Sequence, residues 1–102
     1  MIPYELTADA EADLREIARY TRRQWGETQS RQYARTLATC FQNIADGETV
    51  QRSFSHRFPE LLVTRCEHHF IFYLHPEGQK PRIIAVLHER MDLIARLRDR
   101  LP

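Results

Sequence analysis

Residues 61–92 read LLVTRCEHHFIFYLHPEGQKPRIIAVLHERMD, and this stretch decides the fold. It parses into three short strands, two connections and a charged corner. In residues 61–66, Leu62, Thr64 and Cys66 alternate with Leu61, Val63 and Arg65, the period-2 pattern of a strand. Glu67-His68 forms a tight connection, although neither is a favoured turn residue. In residues 69–75, Phe70, Phe72 and Leu74 alternate with His69, Ile71 and Tyr73. The segment PEGQKP, residues 76–81, is a loop. In residues 82–88, Ile83, Ala85 and Leu87 face one way, and Ile84, Val86 and His88 the other. That strand is apolar on both sides, which predicts a central place in the sheet. Its end runs into His88-Glu89-Arg90-Met91-Asp92, the one place where charged side chains crowd the end of an apolar strand.

The rest of the chain reads as packing for that sheet. Residues 2–6 are short and mostly apolar, broken by Pro3, a residue tolerated at a strand start or sheet edge, and predict a first strand. Thr7 is placed as a helix N-cap, with Asp9 and Glu11 in the first turn, where the helix dipole favours negative charge. Ala10, Leu14, Ile17, Ala18, Thr21 and Trp25 recur at helical spacing, with Arg15, Arg19, Arg22 and Arg23 on the other side. A helix over residues 8–25 then stops at Gly26. A second helix over residues 28–45 carries the stripe Tyr33, Leu37, Cys40, Phe41 and Ile44, and ends at Asp46-Gly47. Two such helices separated by two or three residues make an antiparallel hairpin that must lie on something flat. Residues 48–60 read as an irregular loop whose aromatic residues pin it to the sheet. After the corner, Leu93, Ile94, Leu97 and Leu101 predict a short C-terminal helix with Arg96, Arg98 and Arg100 outside. The expected fold is α+β, in the order β-α-α-β-β-β-α, with a helical hairpin on one face of a small, mostly antiparallel sheet.

Composition narrows the classes of function. A chain of 102 residues is expected to form one domain over residues 1–102 and to bury a single modest core. Fourteen of its fifteen basic residues are Arg, Lys80 being the sole Lys, and Arg suits fixed contacts to carboxylate or phosphate. A formal net charge of +1 argues against affinity won by coating nucleic acid with positive charge. Cys40 and Cys66 do not amount to a disulfide framework and read as small buried apolar residues. The segment MIPYELTADAEADL has no basic start followed by an apolar run, and no stretch reaches the roughly 18 apolar residues that span a bilayer. No signal peptide and no membrane partner are expected, and the expected compartment is the cytoplasm. The five histidines are scattered, and adjacent His68 and His69 point to opposite sides of a strand, so no metal site is expected. No glycine-rich nucleotide loop appears, and no cofactor is expected.

Three segments, in order and with matching spacing, resemble the RelE/ParE superfamily of toxins from type II toxin–antitoxin systems. The first is LTADAEADLREIARYTRRQWG, with the pattern A-x-x-D-L-x-x-I-x-x-Y at Ala10, Asp13, Leu14, Ile17 and Tyr20. The second is LLVTRCEHHFIFYLHPE. The third is IIAVLHERMD, a strand ending in V-x-H-x-R-x-D at Val86, His88, Arg90 and Asp92. The resemblance covers nearly the whole chain.

That resemblance implies a growth-inhibiting toxin neutralised by a cognate antitoxin protein. ParE-like members poison DNA gyrase and cut no RNA. RelE-like members cleave messenger RNA on the ribosome, which needs an acid, a base and cations at the reacting phosphate. The near absence of Lys, the lack of a terminal Tyr or Lys and the ending HERMD favour the ParE branch. The expected target-binding residues are then His88, Glu89, Arg90, Asp92 and Arg96, with no catalytic residue. The alternative is a RelE-like endoribonuclease using Arg65, His69, His88 and Arg90. A third reading is a degenerate toxin that serves only as a binding module. As a surface feature, Arg65 is expected to pair with Glu67 or Glu89, and Glu89, Arg90 and Asp92 to cap the last helix.

Overall fold

A computed structural model describes residues 2–101. The elements are β1 (Glu5–Leu6), α1 (Ala8–Trp25), α2 (Glu27–Ala45), β2 (Ser53–Ser55), β3 (Phe58–Cys66), β4 (His69–Leu74), β5 (Arg82–His88) and α3 (Leu93–Leu97). One five-stranded sheet runs in the order β1-β5-β4-β3-β2. β1 pairs with β5 in parallel, and every other neighbouring pair is antiparallel. The fold is α+β as expected, with one strand more than the sequence suggested.

The helical hairpin follows from its caps. The Thr7 hydroxyl accepts from the Ala10 N–H at 3.1 Å, and Asp9 and Glu11 occupy the first turn of α1. Gly26, at φ 94°, is the last cap of α1 and the first of α2, so the break between the helices is a single residue. The Ser30 hydroxyl donates to the Ala18 carbonyl at 3.2 Å and stitches the helices together. Trp25, expected on the apolar stripe, is 65% exposed. It is the last residue of α1, and the α1 residues in the main core are Ala10, Leu14 and Ile17, well before it.

The sheet is buried on both sides. Beneath the hairpin, Leu37, Phe41 and Ile44 of α2 pack on Cys66, Ile71, Tyr73, Ile83 and Val86. On the far side, Leu61, Phe72, Ile84, Ala85 and Leu87 are covered by Leu97 of α3, with Phe54, Leu93 and Leu101 around them. Each such Leu, Ile or Phe contributes about 1.5–3 kcal/mol by leaving water. Two covered faces explain why β4 from Phe70 to Leu74 and β5 from Ile83 to Leu87 are unbroken runs of apolar and aromatic residues. β5 lies inside the sheet between β1 and β4, while the middle position belongs to β4. Ile94, expected inside, is 66% exposed, because α3 has only five residues and buries Leu97.

The additional strand is β2, which lies within residues 48–60, where the sequence pattern predicts a loop. Ser53 pairs with Leu62 and Ser55 with Phe58, so β3 also begins three residues earlier than expected. Phe54 holds the hairpin down with its ring edge-on to Phe72 at 5.1 Å. An edge strand of three residues with two serines carries little hydrophobic periodicity, and its shortness protects the edge.

β5 also departs from strict alternation. Phe72 pairs with Ala85 and Tyr73 with Ile83, so Ile84 is an extra residue and the strand bulges there. Ile83 and Val86 therefore face the hairpin, whereas Ile84, Ala85 and Leu87 face α3. This corrects the expected grouping of Ile83 with Ala85 and of Ile84 with Val86.

Candidate functional site

Beyond Ile83, β1 no longer covers the edge of β5, and side chains replace its ladder. The Asp13 carboxylate accepts from the Val86 N–H at 2.9 Å and from Arg100 Nη1 and Nη2 at 2.6 and 3.0 Å. Arg100 Nη1 also donates to the Ile84 carbonyl at 3.2 Å. Arg100, expected outside, is thus a partly buried bidentate partner, and its hydrogen bond to Asp13 holds the guanidinium above its ordinary pKa. The pair ties α1, β5 and the C-terminal segment together just before the charged corner.

The corner itself starts at His88, opposite His69 across the β4–β5 pair. Their rings meet edge to face with centroids 5.2 Å apart. The Tyr33 hydroxyl from α2 lies 2.6 Å from His69 Nδ1 and accepts from the His68 N–H at 3.3 Å. Burial, with His88 and His68 alongside, pushes the His69 imidazole down to about 4, while burial pushes the Tyr33 phenol up. At neutral pH the phenol therefore keeps its proton and donates it to a neutral imidazole, which leaves the His69 proton on Nε2. His88 Nδ1 accepts from the Arg90 N–H at 3.2 Å, which leaves its Nε2 as the ring nitrogen free to donate.

The other expected site residues spread around this pair. Glu89 is ion-paired to Arg65, as foreseen, and Arg65 also stacks over the Phe70 ring at 5.6 Å. Phe70 belongs to the face covered by α3, so Arg65 sits on the opposite side of the sheet from His69. Asp92 caps α3, its carboxylate accepting from the Ala95 N–H at 3.2 Å. Arg90 and Arg96 are exposed. The structure thus brings His69, His88 and the Arg90 backbone together and leaves Arg65 apart from them. Tyr33 was missed, since on an amphipathic helix a tyrosine reads as core. Asp13 and Arg100 were missed as partners, being 87 residues apart.

Cys40 and Cys66, read as separate apolar residues, are joined in a disulfide. The stripe of α2 lies over the hairpin-facing side of β3, which brings their Cα atoms to 6.5 Å. The link fixes α2 beside the Cys66-Glu67-His68-His69 turn. Glu67 in that turn has φ 56°, the one described non-glycine residue in the left-handed region, and its carbonyl accepts from Arg65 Nε at 3.1 Å.

Two concavities flank the hairpin. One is a groove of about 1200 Å³ between the exposed side of α1 and the corner, with His69 and His88 among its lining residues. The other is an apolar pocket of about 190 Å³ between α1, α2 and β1, lined by Tyr4, Leu6, Leu14, Leu37 and Phe41. No helix is long and apolar enough to cross a membrane, and no cluster of three metal-ligating side chains occurs among the described residues.

Comparison with known proteins converges on one description. Residues 4–93 match a family described as ParE toxin of type II toxin-antitoxin system, parDE. The chain is 50% identical over 101 residues to Toxin ParE of Escherichia coli, covering 99% of this chain and 98% of that one. It is 32% identical over 97 residues to Toxin ParE1 of Caulobacter vibrioides, covering 95% and 99% respectively.

Proposed function

Because the chain belongs to the ParE toxin family of type II toxin–antitoxin systems, we propose that it arrests growth by poisoning DNA gyrase and is neutralised by a cognate antitoxin protein. The carrying observation is the half-identical ParE relative matched over nearly the full length of both chains. The target surface is the corner, His88, Glu89, Arg90 and Asp92, together with Arg96 on α3. In support, β5 is buried from Ile83 to Leu87 and delivers this corner to the surface, while Asp92 and the Asp13–Arg100 pair fix the segment after it. The protein acts in the cytoplasm, where gyrase is, and works as one functional unit.

The endoribonuclease alternative is weaker on this geometry. Its four residues, Arg65, His69, His88 and Arg90, do not converge, since the sheet lies between Arg65 and His69. His69 spends Nδ1 on Tyr33, which leaves only Nε2 of that ring for a reacting group.

The antitoxin chemistry is that of a segment that orders on binding and seats apolar side chains. The apolar pocket beside the hairpin suits it, with Ala34 and Ala38 exposed along its rim.

Supercoiling by purified gyrase in the presence of the protein, with cleaved DNA scored, tests the reading. Inhibition with accumulated cleaved DNA is expected, and His88→Ala with Arg90→Ala should remove it while the circular dichroism spectrum stays unchanged. Gyrase that supercoils normally at saturating protein defeats the proposal and turns attention to ribosome-dependent messenger cleavage. Ala34→Arg should leave toxicity intact and abolish rescue by co-expressed antitoxin.

A further inference from the structure

The large groove has a chemistry that the apolar pocket lacks. Arg19 and Arg23, one turn apart on α1, stand on one wall, and Arg90 and Arg96 on the other. Among the described residues, the ion pairs engage Arg31, Arg65, Arg82 and Arg100, which leaves these four guanidinium groups without a carboxylate partner. The acids of the groove are fewer. Asp13 and Glu89 are committed to Arg100 and Arg65, so Glu16 and Glu67 alone stand against four cations. The near-zero charge of the whole chain thus hides a local excess.

Two large aromatic side chains lie in the same groove and are open to solvent: Tyr20 is 57% and Trp25 65% exposed. Exposed rings beside unpaired guanidinium groups are a stacking platform for planar groups. The floor adds His69 and His88, each with Nδ1 occupied and Nε2–H left to donate. Cations at intervals, open aromatic faces and ring N–H donors match a strand of phosphodiesters with unpaired bases. A duplex would meet the cations but hide its base faces from Tyr20 and Trp25. An acidic peptide would also meet the cations, yet leave the aromatic faces without planar partners.

We propose that this groove binds single-stranded nucleic acid, with phosphates on Arg19, Arg23, Arg90 and Arg96, bases against Tyr20 and Trp25, and the His69 and His88 Nε2–H groups donating to the strand. The inference goes beyond gyrase poisoning and does not depend on it. DNA and RNA share the chemistry, and no residue of the groove singles out a 2′-hydroxyl.

The test is fluorescence anisotropy of labelled 15-mer single-stranded DNA, RNA and duplex DNA with the purified full-length protein. Both single strands should bind saturably, within a few fold of each other and at least ~10-fold tighter than the duplex. The logarithm of affinity should fall with the logarithm of salt at a slope near −3, about 0.7 for each of four phosphates. Trp25 is the sole tryptophan, so its own fluorescence should be quenched as the strand binds. Trp25→Ala or Tyr20→Ala should weaken binding roughly tenfold, and Arg19→Ala with Arg23→Ala should lower the slope by about 1.4. Arg52→Ala, outside the groove, should change nothing. The proposal is overturned by absence of binding, by a duplex binding as tightly as the single strands, or by aromatic variants that bind normally. It is equally overturned if a 15-residue poly-glutamate competes as well as the oligonucleotide. None of these outcomes bears on the gyrase assay, so the two readings fail separately.

Discussion

Asp13 and Arg100 meet through two hydrogen bonds, 2.6 and 3.0 Å long, across almost the whole length of the chain. Their side chains are 12% and 14% exposed, so solvent screens the pair little. The same carboxylate takes the Val86 N–H, and the same guanidinium the Ile84 carbonyl, at the point where β5 bulges and β1 ends. Removing either partner strands the other and exposes a strand edge. Asp13→Ala should cost about 2–3 kcal/mol, a fall in melting temperature of roughly 10 °C. Asp13→Asn, which still accepts from Val86, should cost less. Thermal unfolding followed by circular dichroism measures both, and an Asp13→Ala protein melting with the parent would show that the pair is dispensable.

The Cys40–Cys66 disulfide closes a loop with a sequence separation of 26 residues. Constraint of the unfolded chain alone gives about 3.5 kcal/mol for a loop of that size. Dithiothreitol should lower the melting temperature by roughly 10 °C or more while leaving the protein folded at 25 °C. Cys40→Ser with Cys66→Ser should melt like the reduced protein in either buffer. Identical melting with and without reductant would mean that the link carries no stability.

His69 makes stability depend on pH in a defined direction. Its folded pKa of about 4 lies below the ordinary 6.5, so the unfolded chain binds the proton more readily. The contribution is fully present above pH 6.5 and is lost as pH falls from there toward 4. By linkage the loss amounts to at most about 3 kcal/mol. His69→Gln should flatten the stability profile between pH 6.5 and 4 in urea titrations. A profile as steep as the parent's would assign the effect to another group.

Asp92 does two jobs in the corner. It caps α3 through the Ala95 N–H, and it closes the segment proposed to meet gyrase. Asp92→Ala should cost about 1 kcal/mol. Asp92→Ser keeps a capping oxygen but drops the charge. If the residue acts by capping alone, Ser should restore both melting temperature and gyrase inhibition. If the carboxylate meets the target, Ser should restore only the first.

The sequence determined the elements and their faces wherever a periodic apolar pattern ran against one surface. α1 and β5 fall where their patterns place them, and the hairpin-facing sides of β3 and β4 are those that alternation predicts, because burial of one face must repeat every 3.6 or 2 residues. The corner at residues 88–92 was legible for the same reason, as the place where an apolar strand turns charged. What only the tertiary structure decided lies where local pattern is silent. β2 is too short and polar to have a period of its own, and it exists because β3 offers an edge and Phe72 a ring to pack against. The bulge at Ile84 shifts the phase of an all-apolar strand, which no alternation of such residues can reveal. Tyr33 beside His69, Cys40 beside Cys66 and Asp13 beside Arg100 are separated by 36, 26 and 87 residues. Their meeting is set by how the hairpin lies across the sheet, a property of packing between elements rather than of any stretch of chain.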